Sequence, residues 1–187
     1  GSSQPTSCLQ GFQEAFSSGI ISDMHVWRRV RRALTSENLA VAQYSLKFLK
    51  EESRYSNKFF RNVKNNPRKF ILNQSNSLDD PGVLEAVIYA IQRIAKKSPQ
   101  RAAKIFLKIE RLFSVRDRGF TWGQIGMIAI LKHDSQSLHW FNKTQNQFLS
   151  QQQLSWKARA ALRESKWPVL FKTVNSMSSE YKNRNVW

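Results

Sequence analysis

A single cysteine, Cys8, among 187 residues excludes an internal disulfide framework and leaves the redox compartment open. Glycine is scarce, 7 in all, and never grouped as Gly-x4-Gly-Lys-Ser/Thr, so no phosphate-cradling loop is expected. Apolar runs are short: Val83 to Ile91 and Ile125 to Leu131 are the longest candidates, well under the ~20 residues a membrane span needs. No segment of useful length alternates with period two, which argues against a sheet. Acidic side chains are few, 13 against 30 Lys plus Arg, a net charge of +17. That imbalance calls for an acidic or phosphorylated partner, an anionic polymer or a counter-charged neighbouring domain. The excess is spread along the chain (8 basic and 5 acidic residues in 1–60, 13 and 5 in 61–120, 9 and 3 in 121–187), which favours a folded body with a positive surface over a basic tail.

What is present is helical. The 12 Phe, 6 Trp and 4 Tyr supply bulk for helix interfaces, and a chain of this length can bury roughly 70% of its unfolded surface. The stretch Asp80 to Phe113 organises the rest. Leu84, Val87, Ile88, Ile91, Ile94 and Ala95 recur at steps of three and four, one helical face. Ser98 and Pro99 then cap and open a second helix, carrying Ala102, Ile105, Phe106, Ile109, Leu112 and Phe113 inward. Two such helices form an antiparallel hairpin whose outer faces call for neighbours of the same kind.

Around this pair the pattern predicts helices over Ser7–Ser18 (stopped by Gly19), from Ser22 (Met24, Trp27, Val30, Leu34), from Thr35-Ser36 (Leu39 to Leu49), over Tyr55 to Val63, and from Pro67. Pro67 and Pro99 lie 32 residues apart, a spacing suited to a degenerate helix-hairpin repeat. Further on, Thr121 with Gln124 and Ser150 with Gln153 read as capping boxes. Ser135 starts a short helix, and Trp167-Pro168 starts one with Leu170, Phe171, Val174 and Met177 inside. Leu154, Ala158, Ala161 and Leu162 form the inner face of the helix between. The fold class expected is all-α: an α-superhelix or solenoid of about eleven helices in stacked antiparallel hairpins.

Chemistry-bearing groups do not converge. His133 and His139, six apart with only Asp134 nearby, fall short of the three or four ligands a metal site needs; no cofactor is expected. His25 sits among arginines, and Cys8 lies on an apolar side without a basic helper. Glu51-Glu52 and Asp79-Asp80 suit helix starts, where carboxylates satisfy free amides. Arg28, Arg29, Arg31 and Arg32 look like a nucleic-acid motif or a solvated face; helical spacing divides them between both flanks of the apolar stripe, which favours the second reading. The arrangement of most interest is Lys97, Arg101, Lys104, Lys108 and Arg111, advancing by four, three, four and three as one basic stripe. Each like-charge pair costs a few tenths of a kcal/mol, a cost a facing anion would remove. Aromatic residues do not alternate with the stripe as in single-strand binders, which lowers the nucleic-acid reading.

Cys8-x3-Phe12-x6-Gly19, then Arg31-Arg-Ala-Leu34 and Asn38, then Trp156-Lys-Ala-Arg-Ala-Ala-Leu-Arg163, Trp167, Met177-Ser178 and Trp187, with the Ile-Ala-x-x-Ser-Pro turn inside Ala86 to Ala103, resemble the superhelical domain of soluble lytic murein transglycosylases. The resemblance implies a bacterial, periplasmic parent enzyme that cleaves peptidoglycan glycan strands with formation of an anhydro sugar. It also implies a ring-forming α-superhelix and a separate, C-terminal lysozyme-like catalytic domain. The family's catalytic glutamate stands in a Glu-Ser context with a Gly-Leu-Met-Gln motif further along. No such motif follows Glu164-Ser165, so Glu164 is not carried over as catalytic. In some members the cysteine matching Cys8 pairs with one N-terminal to it.

The expectation is therefore that residues 1–187 are one superhelical piece of a larger enzyme, without its catalytic domain and not an enzyme by themselves, with residues 1–4 a possible cloning remnant. Its partners would be peptidoglycan, met by the 97–111 stripe, and the catalytic domain of the same protein. The alternatives are a basic α-solenoid that binds nucleic acid and a helical-repeat scaffold for protein interactions.

Overall fold

The computed structural model describes residues 11, 14–15, 18, 20–49, 55–56, 58–74 and 78–183. The expected Ser7–Ser18 helix with its Gly19 stop falls mostly outside them, and Cys8, Glu51-Glu52 and Trp187 wholly so. Among the described residues the chain is all-helical, without a strand: α1 Asp23–Thr35, α2 Leu39–Ser45, α3 Phe59–Asn65, α4 Pro67–Leu72, α5 Pro81–Lys97, α6 Pro99–Ile109, α7 Val115–Leu131, α8 Ser137–Phe141, α9 Gln151–Arg163, α10 Trp167–Asn175 and α11 Ser179–Lys182, with 3-10 turns at Leu46–Phe48, Glu110–Leu112 and Asn146–Phe148. The chain divides into two compact units, Gly1–Ala90 and Ile91–Trp187, the division falling within α5.

In the first unit, α1 starts after Ser22 as the sequence predicts. His25 takes the place a Glu or Gln fills in a capping box, its Nδ1 accepting the Ser22 amide at 3.2 Å. Val26, Trp27, Val30, Ala33 and Leu34 are buried, and α1 packs on α2. Met24 is 59% exposed, a correction to the expected inner face. Six positions before Val30, it lies about 120° round the helix from the buried stripe.

The second helix does not begin at Thr35-Ser36. Those two hydroxyls donate back to the carbonyls of Arg31 and Arg32 at 2.8 Å, and α2 is capped by Asn38, whose Oδ1 accepts the Val41 amide at 3.1 Å. A Ser or Thr beside a boundary can close one helix or open the next, and sequence alone does not decide which. Tyr55 lies outside α3, its ring 4.6 Å from that of Phe59. Its hydroxyl donates to Asp80, whose Oδ1 also accepts the amides of Gly82 (2.8 Å) and Val83 (3.0 Å) at the start of α5. The expected single buried face of α5 is too narrow: Leu84 is only partly buried, whereas 85–92 is buried without interruption.

In the second unit the central element is α7. It packs on α6, α8 and α9, and α9 packs in turn on α10. Thr121 and Gln124 do not open a helix. The cap is Ser114, whose Oγ accepts the Asp117 amide at 3.1 Å, and Thr121 is mid-helix with its hydroxyl on the Asp117 carbonyl at 2.8 Å. Ten consecutive residues, 121–130, are buried. Close approach is possible because glycines meet the neighbours: a Cβ at Gly123 would lie 2.6 Å from Leu149 and Gln153, and one at Gly126 2.8 Å from the Phe141 ring.

The Ser150–Gln153 box forms as predicted, and Gln153 also donates to the Phe120 carbonyl at 2.9 Å, tying α9 to α7. The core here comprises Met127, Ile130, Leu138, Phe141, Leu149, Leu154, the alanines of α9 and Met177. Two expected inner residues are corrected: Leu162 is 48% and Phe171 65% exposed. The alanines of α9 and Val169, Leu170 and Val174 of α10 pack in or against this core. Ser135 lies in a turn, and α8 begins two residues later at Ser137.

Candidate functional site

The five cations of the predicted stripe are all exposed, but they do not share one helix. Ser98 breaks the run, its Oγ accepting the Arg101 amide at 3.2 Å, so Lys97 is the last residue of α5 and Arg111 lies on the 3-10 turn that ends α6. Arg101, Lys104 and Lys108 remain on one face of α6. The opposite face, Ala102, Ala103 and Phe106, is fully buried. Phe106 packs edge-on against Phe113 and Trp122, with ring centroids 5.0 Å away in each case. Trp122 in turn donates from Nε1 to Glu110 Oε2 at 2.8 Å. None of the five side chains has a hydrogen bond or ion pair among the described residues.

At its Lys97 end the ridge runs into an open depression of about 340 Å³, lined by Lys97, Ser98, Gln100, Lys132, Asp134 and Ser135 with Pro99 beneath. Lys132 brings a second ammonium to Lys97 from the end of α7, a neighbour 35 positions away in sequence. The available signal was the polar step Lys132-His-Asp134 after the apolar run to Leu131, which marks a helix end but not what faces it. Asp134 is engaged within the fold: its carboxylate accepts from Gln100 Nε2 and from the Gln136 amide (2.8 Å), and its carbonyl accepts from Arg163 Nη2 at 2.9 Å. The depression therefore presents two ammonium groups and one committed carboxylate.

The other sequence candidates scatter. Arg31 belongs to neither reading of the arginine cluster, because it is part-buried and paired with Glu85 at 2.6 Å. Glu164 is the C-cap that follows α9, and Ser165 comes next in the left-handed region at φ 53°; this is a helix stop. Among the described residues, no three His, Cys, Asp or Glu side chains gather as metal ligands, and no helix is long and apolar enough to cross a membrane.

Two proton affinities are displaced. Burial, then the Asp80 carboxylate, pushes Tyr55 upward, and burial, then Lys172, lowers Lys157 to about 8. Both groups are bound into the fold by their hydrogen bonds, Tyr55 to Asp80 and Lys157 Nζ to Asn146 Oδ1 at 2.9 Å. The arrangement can attract and hold anions; it does not assemble an acid, a base and a nucleophile.

No protein-family profile matches the chain, and no curated protein matches it. Among solved structures it is similar to an inactive mutant of the lytic transglycosylase Slt from Pseudomonas aeruginosa, with a TM-score of 0.66 and 19% sequence identity, over 98% of this chain and 30% of that one. The chain thus spans less than a third of the neighbour's length, and the likeness is one of fold.

Proposed function

We propose that this chain is the non-catalytic helical scaffold of a peptidoglycan lytic transglycosylase, and that its cationic ridge offers a contact surface to the carboxylates of the peptide stems. The observation that carries the reading is the fold likeness along 98% of the chain to a protein more than three times as long. The tryptophan- and alanine-rich motif of α9 and the Ser98-Pro99 turn, which resemble that family's superhelix, support it independently. In this reading the chemistry belongs to a separate lysozyme-like domain, the parent protein works in the periplasm, and residues 1–187 hold and orient that domain. The exposure of Lys97, Arg101, Lys104, Lys108 and Arg111, without an ion pair among the described residues, supports their role as the contact, since clustered like charges gain most from a facing anion.

Two measurements test this. The purified chain should sediment with murein sacculi and release no anhydro-muropeptides; robust release by the chain alone refutes the scaffold role. Replacing Lys97, Arg101, Lys104 and Lys108 by Glu should weaken sedimentation, and unchanged sedimentation removes the ridge from the proposal. A salt titration with duplex DNA separates the nucleic-acid alternative: submicromolar affinity at physiological salt with a steep log-log slope favours that class.

A further inference from the structure

A second cationic feature lies in the first unit. His25, Arg28, Arg29 and Arg32, at positions i, i+3, i+4 and i+7 along one side of α1, line a cavity of about 320 Å³. Its floor is apolar, formed by Val26 and by Phe48 of the turn that follows α2, both at least nine-tenths buried. Among the described residues no carboxylate lines it. The hollow is mainly apolar and near the lower size limit for ligands, with basic groups along one edge.

The polar edge has a definite chemistry. Arg28 and Arg32 are exposed and four residues apart, so their guanidinium groups repel across one helical turn. Arg29, half-buried, stands between them. The imidazole of His25 accepts the Ser22 amide at Nδ1. Because an amide can only donate, a neutral ring carries its proton on Nε2, which leaves that N–H as a donor. Guanidinium forks pair best with planar or tetrahedral oxyanions. Several cationic and N–H donors along one edge suit a dianionic phosphate monoester better than a singly charged carboxylate.

We propose that this cavity binds a phosphate monoester carrying a compact apolar body, with the phosphate held by Arg28, Arg32 and His25 and the body resting on Val26 and Phe48. This proposal is independent of the peptidoglycan reading, because it uses a different unit and a different anion. The ester could be a free metabolite or the headgroup of a phospholipid, and the experiment separates the two.

Isothermal titration of the full chain with 1-naphthyl phosphate at physiological ionic strength should give saturable one-to-one binding. Affinity should be about tenfold or more above that for inorganic phosphate and for 1-naphthol, since each lacks one half of the recognition. The variant R28Q/R32Q, altered at two exposed positions and checked for an unchanged melting temperature, should lose at least about tenfold. Flotation with phosphatidylcholine vesicles containing phosphatidic acid forms the second arm. Variant-sensitive binding of the soluble ester alone identifies a free ester, and variant-sensitive binding of the vesicles as well identifies the lipid headgroup. Naphthyl phosphate binding no tighter than inorganic phosphate, or binding to both probes that R28Q/R32Q leaves unchanged, overturns the proposal.

Discussion

Arg31 closes on Glu85 with both edges of its guanidinium: Nε stands 2.9 Å from each carboxylate oxygen and Nη2 2.6 Å from Oε1. The carboxylate is 5% exposed and the guanidinium 22%, so the pair links α1 to α5 across 54 residues in a largely dry setting. Removing one side takes away the two-pronged partner of the other. Glu85→Ala is expected to destabilise the chain by roughly 3 kcal/mol, near the lower end for a part-buried pair because Arg31 keeps some contact with water. The double variant Arg31→Met, Glu85→Met should recover most of that loss, since neither charge is then left unpaired. Urea unfolding of the two single variants and the double variant measures the coupling; additive losses would show that the pair does not act as a unit.

Gly126 supplies the next expectation. Alanine in a helix interior is ordinarily worth about 1 kcal/mol over glycine, yet a Cβ here would lie 2.8 Å from the ring of Phe141, which is fully buried. Overpacking a filled core costs about 1–3 kcal/mol, so Gly126→Ala should lower the melting temperature despite its better helix propensity. In a Phe141→Leu background the flat ring edge is gone, and the same substitution should then become neutral or stabilising. A loss of equal size in both backgrounds would place the cost elsewhere.

These two relationships also show what the sequence could and could not disclose. The period of Ile125, Ile128 and Ala129 marks α7 as helical, and Ser150-x-x-Gln153 marks the start of α9, because each signal is local and has one physical outcome. The Arg31–Glu85 pair is not local: nothing in the arginine cluster distinguishes the member that meets a carboxylate 54 residues away. Thr121-x-x-Gln124 failed as a cap because the true start, Ser114, lies beyond Arg116-Asp-Arg118, a charged stretch that reads as a turn but forms the first helical turn. The ridge was legible as a spacing of cations. Its division among α5, α6 and the 3-10 turn follows from Ser98 and Ile109, and its neighbour Lys132 is brought there only by tertiary packing.

Three helices end on residues that the rules of helix termination would assign to glycine. Glu37, His133 and Ser165 have φ of 58°, 57° and 53°. In each case the next amide reaches five residues back, Asn38 to Ala33 (2.8 Å), Asp134 to Ala129 (2.9 Å) and Lys166 to Ala161 (2.8 Å), the 6→1 bond of a Schellman motif. A side chain in the left-handed region costs about 1–2 kcal/mol, partly offset by glycine's larger entropy when unfolded. His133→Gly, at an exposed position, should therefore stabilise by about 0.5–1 kcal/mol, whereas His133→Ala should give no gain. Equal effects of the two in thermal unfolding would mean that the backbone conformation is not the source.

Lys157 gives the chain a pH dependence that can be isolated. Its side chain is 5% exposed, its ammonium meets only the amide oxygen of Asn146 among the described partners, and burial followed by the charge of Lys172 lowers its affinity for a proton to about 8. In the unfolded chain a lysine titrates near 10.4. Between those two values the unfolded state binds more protons than the folded one, so stability rises with pH across that window. Below about 8 both states are protonated and the penalty for burying the charge is present in full. The other lysines and the net charge of +17 also respond to alkali, but they are shared with Lys157→Met, which keeps the stem and removes the titration. The stability of the native chain minus that of Lys157→Met should therefore increase steadily from about pH 7.5 to about pH 10. Lys172→Gln, by removing the second cause, should move the onset of that increase to higher pH. Parallel stability curves for the native chain and Lys157→Met in urea unfolding would show that the amine is hydrated in the fold and that its burial does not govern the response.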